Sequence, residues 1–150
     1  MTTHPVEVVR CEPAPTLVVP ARTTWPEFPA LWRELLDQVW ARLRAAGTTS
    51  GCPNVMLYLD DVPNVEVGVL SDRDSVVGGA VVASQLPGGR VAMTTHTGAY
   101  DGLGAAHLAV TRWIDEHGER AAGPRWEVYG PHDDDPARTW TQVCYLLAAD

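Results

Sequence analysis

The chain has 150 residues and a net charge of −8, and its eleven basic side chains are all Arg. Scattered cations under a negative balance argue against direct nucleic-acid binding, which needs a clustered basic surface, although an acidic surface suits cationic small molecules as well as simple solubility. No apolar run approaches the length of a membrane span, and three widely spaced Cys (Cys11, Cys52, Cys144) without a CxxC point to a reduced, cytoplasmic setting. At this length one domain, residues 1–150, can bury a sufficient core without metal or disulfide.

Residues 6–9 and 16–19 read as strands interrupted by Pro13 and Pro15. A helix is predicted over about 26–46, where Leu31, Leu35, Val39 and Leu43 recur every four residues. Thr24 is its expected cap and Gly47 its stop. Residues 55–60 and 65–70 form two strands around the turn from Asp60 to Asn64. Residues 79–84 read as a strand or strand entry and Leu86 to Gly89 as a turn, followed by a strand over 90–95. A second helix is expected over 101–117, with Leu103, Ala106, Val110 and Ile114 on one side and Gly118 as its stop. Residues 126–129 and 141–147 are the last strands, joined through the acidic loop at Asp133 to Asp135, which reads as solvated.

The order is therefore β-α-β-β, twice, with pseudo-repeats at about 1–74 and 75–150. Pro53 to Tyr58 and Pro124 to Tyr129 show the same spacing. In that register Glu127 corresponds to Met56, and Tyr129 to Tyr58. Two such halves predict an α+β fold: an antiparallel sheet, two helices on one side, and a ligand cleft between the halves. Alternation along a strand puts Glu127 and Tyr129 on one face, with Trp126 and Val128 on the other, Trp126 packing against a helix. A carboxylate among aromatics either lies on a wet face or lines a partly dry pocket, where it serves something cationic, polar or reactive.

Several spaced motifs bear on that choice. His96, Gly98 and Tyr100 form H-x-G-x-Y; Trp113 and Gly118 form W-x-x-x-x-G; Gly123-Pro124 and Glu127-Val128-Tyr129 follow in order. This series resembles the GyrI-like family, including the effector-binding domains of AraC-type and MerR-type multidrug regulators. The resemblance covers residues 90–147 by motif and the first half by element order. It implies a duplicated β-α-β-β fold with a cleft in which Glu127 lies among aromatics. In the regulators this acid contacts cationic, drug-like ligands. In a branch of stand-alone members it is associated with hydrolysis of cyclopropane-bearing alkylators. A third branch is linked to DNA gyrase. Many members carry an acid where Gln142 stands, which tilts the reading towards binding. A strand within the first ten residues leaves no room for a preceding DNA-binding module.

The expected ligand site comprises Glu127, Tyr129, Tyr58, Met56, Trp25, Trp140 and Gln142, with Glu127 as polar anchor. As a hydrolase, the chain would use Glu127 to direct water and Tyr129 to assist. Packing is an equally good account of Tyr58, and Trp32, Trp40 and Trp113 read as core. His96 reads as a structural hydrogen-bond partner rather than a proton carrier. No metal-ligand spacing links the His residues, His107 and His117 being ten apart, and no cofactor or nucleophile motif occurs. The functions that follow are a stand-alone binder of a small hydrophobic ligand, a cyclopropane-opening hydrolase, or a module acting on gyrase or a regulator.

Overall fold

The computed structural model describes residues 4–131 and 133–149. Its elements are β1 (Glu7–Cys11), β2 (Ala14–Arg22), α1 (Phe28–Ala45), β3 (Asn54–Tyr58), β4 (Asn64–Leu70), β5 (Val82–Leu86), β6 (Gly89–Thr97), α2 (Leu103–Glu116), β7 (Ala121–Tyr129) and β8 (Trp140–Leu147). The expected α+β class holds, and the β-α-β-β order appears twice, as β2-α1-β3-β4 and β6-α2-β7-β8. The chain forms two compact units, Pro13–Leu86 and Pro87–Asp150 joined by Met1–Glu12.

In the Pro13–Leu86 unit the antiparallel strand order is β3-β4-β2-β5. Leu35, Val39 and Leu43 form the buried stripe of α1, as their spacing predicts. The helix begins later than expected, at Phe28. Thr24 caps the turn that leads into it, as expected: its Oγ1 accepts from the Glu27 N–H at 3.3 Å, and its carbonyl from the N–H groups of Glu27 and Phe28 at 3.2 and 2.9 Å. Gly47 ends the helix at φ +90°, a conformation that costs a side-chain-bearing residue steric strain. Trp40 on α1 donates from Nε1 to Asn54 Oδ1 at 2.8 Å, and Phe28 meets Tyr58 edge-on. Asn54, Met56 and Tyr58 therefore face α1, while α1 itself packs over β2 and β4. At the β3–β4 turn, Asp60 accepts hydrogen bonds from the Asn64 side chain, the Asn64 N–H and the Val62 N–H. The Asn64 bonds hold its carboxyl below the usual carboxylate range.

In the other unit the antiparallel order is β1-β6-β8-β7. Ala106, Val110 and Ile114 of α2 pack on Ala92 of β6 and on Val143 and Leu147 of β8. The first helical turn of the predicted segment is a 3-10 turn, Tyr100–Gly102. A Cβ on Gly102 would lie 2.6 Å from the His96 ring, so only glycine lets this turn close over that imidazole. His96 is buried and hydrogen-bonds the Ala99 carbonyl at 2.8 Å and His4 at 3.0 Å, the structural role expected of it.

Two expectations need correction. Gly79 and Ala80 form a turn closed by the Gly78–Val81 bridge, with Gly79 in the left-handed region at φ +59°, so the strand itself runs over Val82–Leu86. Trp32 and Trp40 are half-buried rather than core, the stripe of α1 being filled by smaller residues, whereas the half-buried Trp113 packs against the core beneath α2, as its spacing predicts. Two of these indoles also keep polar company: Arg33 lies over Trp32, and His117 stacks on Trp113 at 4.1 Å.

Burial pushes the Cys144 thiol up to about 12, with the Cys11 thiol adding a smaller rise. Only thiolates react readily, so Cys144 is expected to stay unmodified by iodoacetamide in the native protein at pH 8 while the half-buried Cys11 and Cys52 react. Peptide mass mapping with and without urea checks this. Native labelling of Cys144 at the rate of Cys52 would contradict it. The sign for stability follows. The folded thiol keeps its proton to higher pH than the unfolded one, so this group weakens folding as pH rises from 9.0 towards about 12.

Candidate functional site

The pairing of β7 with β8 places Glu127 opposite Val143 and Tyr129 opposite Thr141. Directly opposed residues share a face. Val143 packs under α2, so Glu127, Tyr129, Thr141 and Tyr145 occupy the face that α2 covers. Trp126 lies opposite Cys144 on the reverse face. The expectation that a helix covers Trp126 while Glu127 looks away is therefore inverted for α2.

Glu127 is only 5% exposed. Burial of a carboxylate is costly unless hydrogen bonds or a counter-charge replace water. Hydrogen-bond partners stand at both oxygens. Tyr129 donates its hydroxyl to Oε1 at 2.5 Å, and His107 Nε2 lies 2.6 Å from Oε2. With the carboxylate ionised, Nε2 carries the hydrogen. His107 Nδ1 lies 2.7 Å from the Tyr145 hydroxyl, whose ring stands edge-on to the imidazole. The result is a chain, Tyr145–His107–Glu127–Tyr129, drawn from α2, β7 and β8. Tyr100, 49% exposed, meets the Tyr129 ring edge-on at 5.8 Å and carries the aromatic surface outward. The Thr141 hydroxyl, opposite Tyr129, has no hydrogen-bond partner among the described residues.

Of the expected site residues, this unit brings Glu127 and Tyr129 together. It does not bring Trp140 and Gln142 to them. Gln142 is opposite Val128, and Trp140 lies two residues away on the same face as Gln142, turned from Glu127 by the alternation of β8. Trp140 packs its indole against Gly130, where a Cβ would come within 2.3 Å of the ring. In the Pro13–Leu86 unit, Trp25, Tyr58 and Met56 form a cluster of their own. Trp25 and Phe28 both approach Tyr58 at 5.5 Å, and the Tyr58 hydroxyl points to the Met56 sulfur at 3.7 Å. Trp25 also donates to the Asp61 carbonyl at 3.1 Å.

His107 and Tyr145 are the residues that sequence reasoning missed. His107 has no metal-ligand spacing, yet it stands four residues from Leu103 and three from Val110, on the side of α2 that packs. A polar residue in an otherwise apolar stripe is the signal that could have found it. Among the described residues, no three His, Cys, Asp or Glu side chains gather as a metal site, and no helix is long and apolar enough to cross a membrane.

A family model described as the GyrI-like small molecule binding domain matches residues 4–145. The crystal structure of the EcmrR C-terminal domain superposes with a TM-score of 0.77 at 14% identity, covering 98% of this chain and 99% of that one. SAV2435 bound to tetraphenylphosphonium gives 0.64 at 9% identity, covering 98% and 94%. A hydrolase from Listeria innocua gives 0.61 at 12% identity, covering 95% and 91%. At these identities the likeness is one of fold. A search of curated protein sequences finds no match.

Proposed function

This chain belongs to the GyrI-like small molecule binding domain family, and we propose that it binds a hydrophobic, aromatic, cationic compound at Glu127 for xenobiotic sequestration or sensing. The observation that carries this reading is a carboxylate at 5% exposure that is held by a phenol and an imidazole, with exposed aromatic surface leading to it. A buried ionised acid gives an organic cation a favourable electrostatic partner, and Tyr129 and Tyr100 give it ring edges and faces for contact. Tetraphenylphosphonium, the ligand carried by the structurally similar SAV2435, is a suitable probe. Titration followed by tryptophan fluorescence is expected to show saturable quenching that weakens in Glu127→Gln. Flat curves, or equal curves for both proteins, would sink the reading.

The hydrogen bonds from His107 and Tyr129 to one carboxylate also suit acid–base chemistry, which supports a second reading, a hydrolase that opens cyclopropane rings. Glu127 would take a proton from water as the water oxygen bonds to the ring carbon. The ring C–C electron pair would pass to the activating group, and the proton would be returned there. Incubation with a cyclopropane-bearing alkylator separates the two readings. A product heavier by one water, absent with Glu127→Gln, favours the enzyme; an unchanged compound favours the binder.

A further inference from the structure

We propose that His107 sets the charge class of ligand that Glu127 accepts: a cation binds with release of the His107 proton, and a neutral ligand binds without it. The inference rests on the reading of Glu127 as the acid that meets the ligand. Its basis is the 2.6 Å contact between His107 Nε2 and Glu127 Oε2, with side chains 24% and 7% exposed. A protonated His107 makes this an imidazolium–carboxylate pair without net charge. A cation arriving beside the pair meets a positive charge as well as a negative one. A neutral His107 still donates from Nε2, and Glu127 then presents its full charge.

The second contact of the imidazole makes both states possible without rearrangement. Tyr145 is 2.7 Å from Nδ1, and a hydroxyl both donates and accepts. It donates to Nδ1 when His107 is neutral and accepts from Nδ1–H when His107 is charged. The proton therefore goes to solvent or returns while every heavy atom of the chain keeps its place.

Other charged and titratable groups share the surroundings but not this link. From β7, Arg125 and Tyr129 occupy the Glu127 face, and β8 contributes Tyr145. On β6, Arg90 is held by Glu119 at 2.6 Å, and His96 by Ala99 and His4. The turn before α2 adds Tyr100 and Asp101, both exposed, and on α2 itself Arg112, Asp115 and Glu116 are exposed. Within the Tyr145–His107–Glu127–Tyr129 chain, His107 is the one ring that can hold a proton on one or on both of its nitrogens.

Isothermal titration of the intact protein with tetraphenylphosphonium, at about pH 5.5, 6.5 and 8 in buffers of different ionisation heat, tests this. Cation affinity is expected to rise with pH, by up to about tenfold per unit, with up to one proton released per ligand. His107→Gln retains a donor for Glu127 and is expected to bind the cation with the same affinity at each pH and no buffer-dependent heat. Neutral triphenylphosphine oxide should release no proton from wild type. Buffer-independent heats for the cation in wild type, the same pH profile in His107→Gln, or proton release by the neutral compound would each overturn the proposal. The proton count comes from wild type, so it stands even if the variant folds poorly. Absence of saturable binding at every pH, or equal binding by Glu127→Gln, would remove the Glu127 reading and this proposal with it. Buffer-independent binding that still needs Glu127 would remove the proposal alone.

Discussion

Glu127→Gln is expected to weaken tetraphenylphosphonium binding by about ten- to a hundredfold while leaving the fold in place. A unit charge pair about 4 Å apart is worth about 4 kcal/mol at an effective dielectric of about 20. Desolvation of the cation and the carboxylate takes back part of this, so about 1.5–3 kcal/mol should be lost when the charge goes. Glutamine has nearly the shape of glutamate. Its carbonyl accepts from Tyr129, and its amide donates to an imidazole that now keeps its hydrogen on Nδ1, towards Tyr145. The variant thus isolates charge from packing. Affinities from fluorescence, read beside the urea midpoint, give the two quantities separately. An unfolding midpoint far below wild type would mean that the acid is chiefly structural. An unchanged affinity would mean that cations go elsewhere.

Gly68→Ala should destabilise the protein by about 3 kcal/mol or more, enough to unfold a marginal domain. Gly68 lies in β4 between Val18 of β2 and Val55 of β3. A Cβ built there would sit 1.9 Å from the Leu17 carbonyl oxygen and 2.7 Å from the Val18 Cα. Both neighbours are backbone, so no rotamer change relieves the overlap, and the strands must move apart. Leu17, Val18 and the flanking Val67 and Val69 are almost wholly buried, so that movement would open the core of this unit. Gly104→Ala is the control. Nothing lies within 4 Å of its Cβ, and alanine near the start of α2 should be neutral or stabilising by about 0.5 kcal/mol. Urea denaturation of both variants, or the soluble yield where Gly68→Ala does not fold, distinguishes them. A Gly68→Ala midpoint within error of wild type would show that β2 and β4 have slack that their spacing denies.

Local periodicity and a few motifs carried much of this protein. The four-residue recurrence from Leu35 to Leu43 determined α1 and its buried stripe, because apolar residues at that spacing share one helical face. Alternation along β7 determined that Glu127 and Tyr129 share a side. The E-V-Y series and its upstream motifs determined the family. Each of these depends on residues near one another in the chain, where bond geometry sets direction.

Contacts between distant residues were decided by the tertiary structure. Whether Gln142 and Trp140 accompany Glu127 depends on the parity of the β7–β8 register, and a shift of one residue would have reversed it. The face covered by α2 depends on where Ala106, Val110 and Ile114 find complementary volume, against Ala92, Val143 and Leu147. That docking brings His107 onto a carboxylate twenty positions away. A histidine in an apolar stripe is visible in the sequence, but its partner is chosen by packing, since burying the acid is tolerable only where a donor arrives from another element.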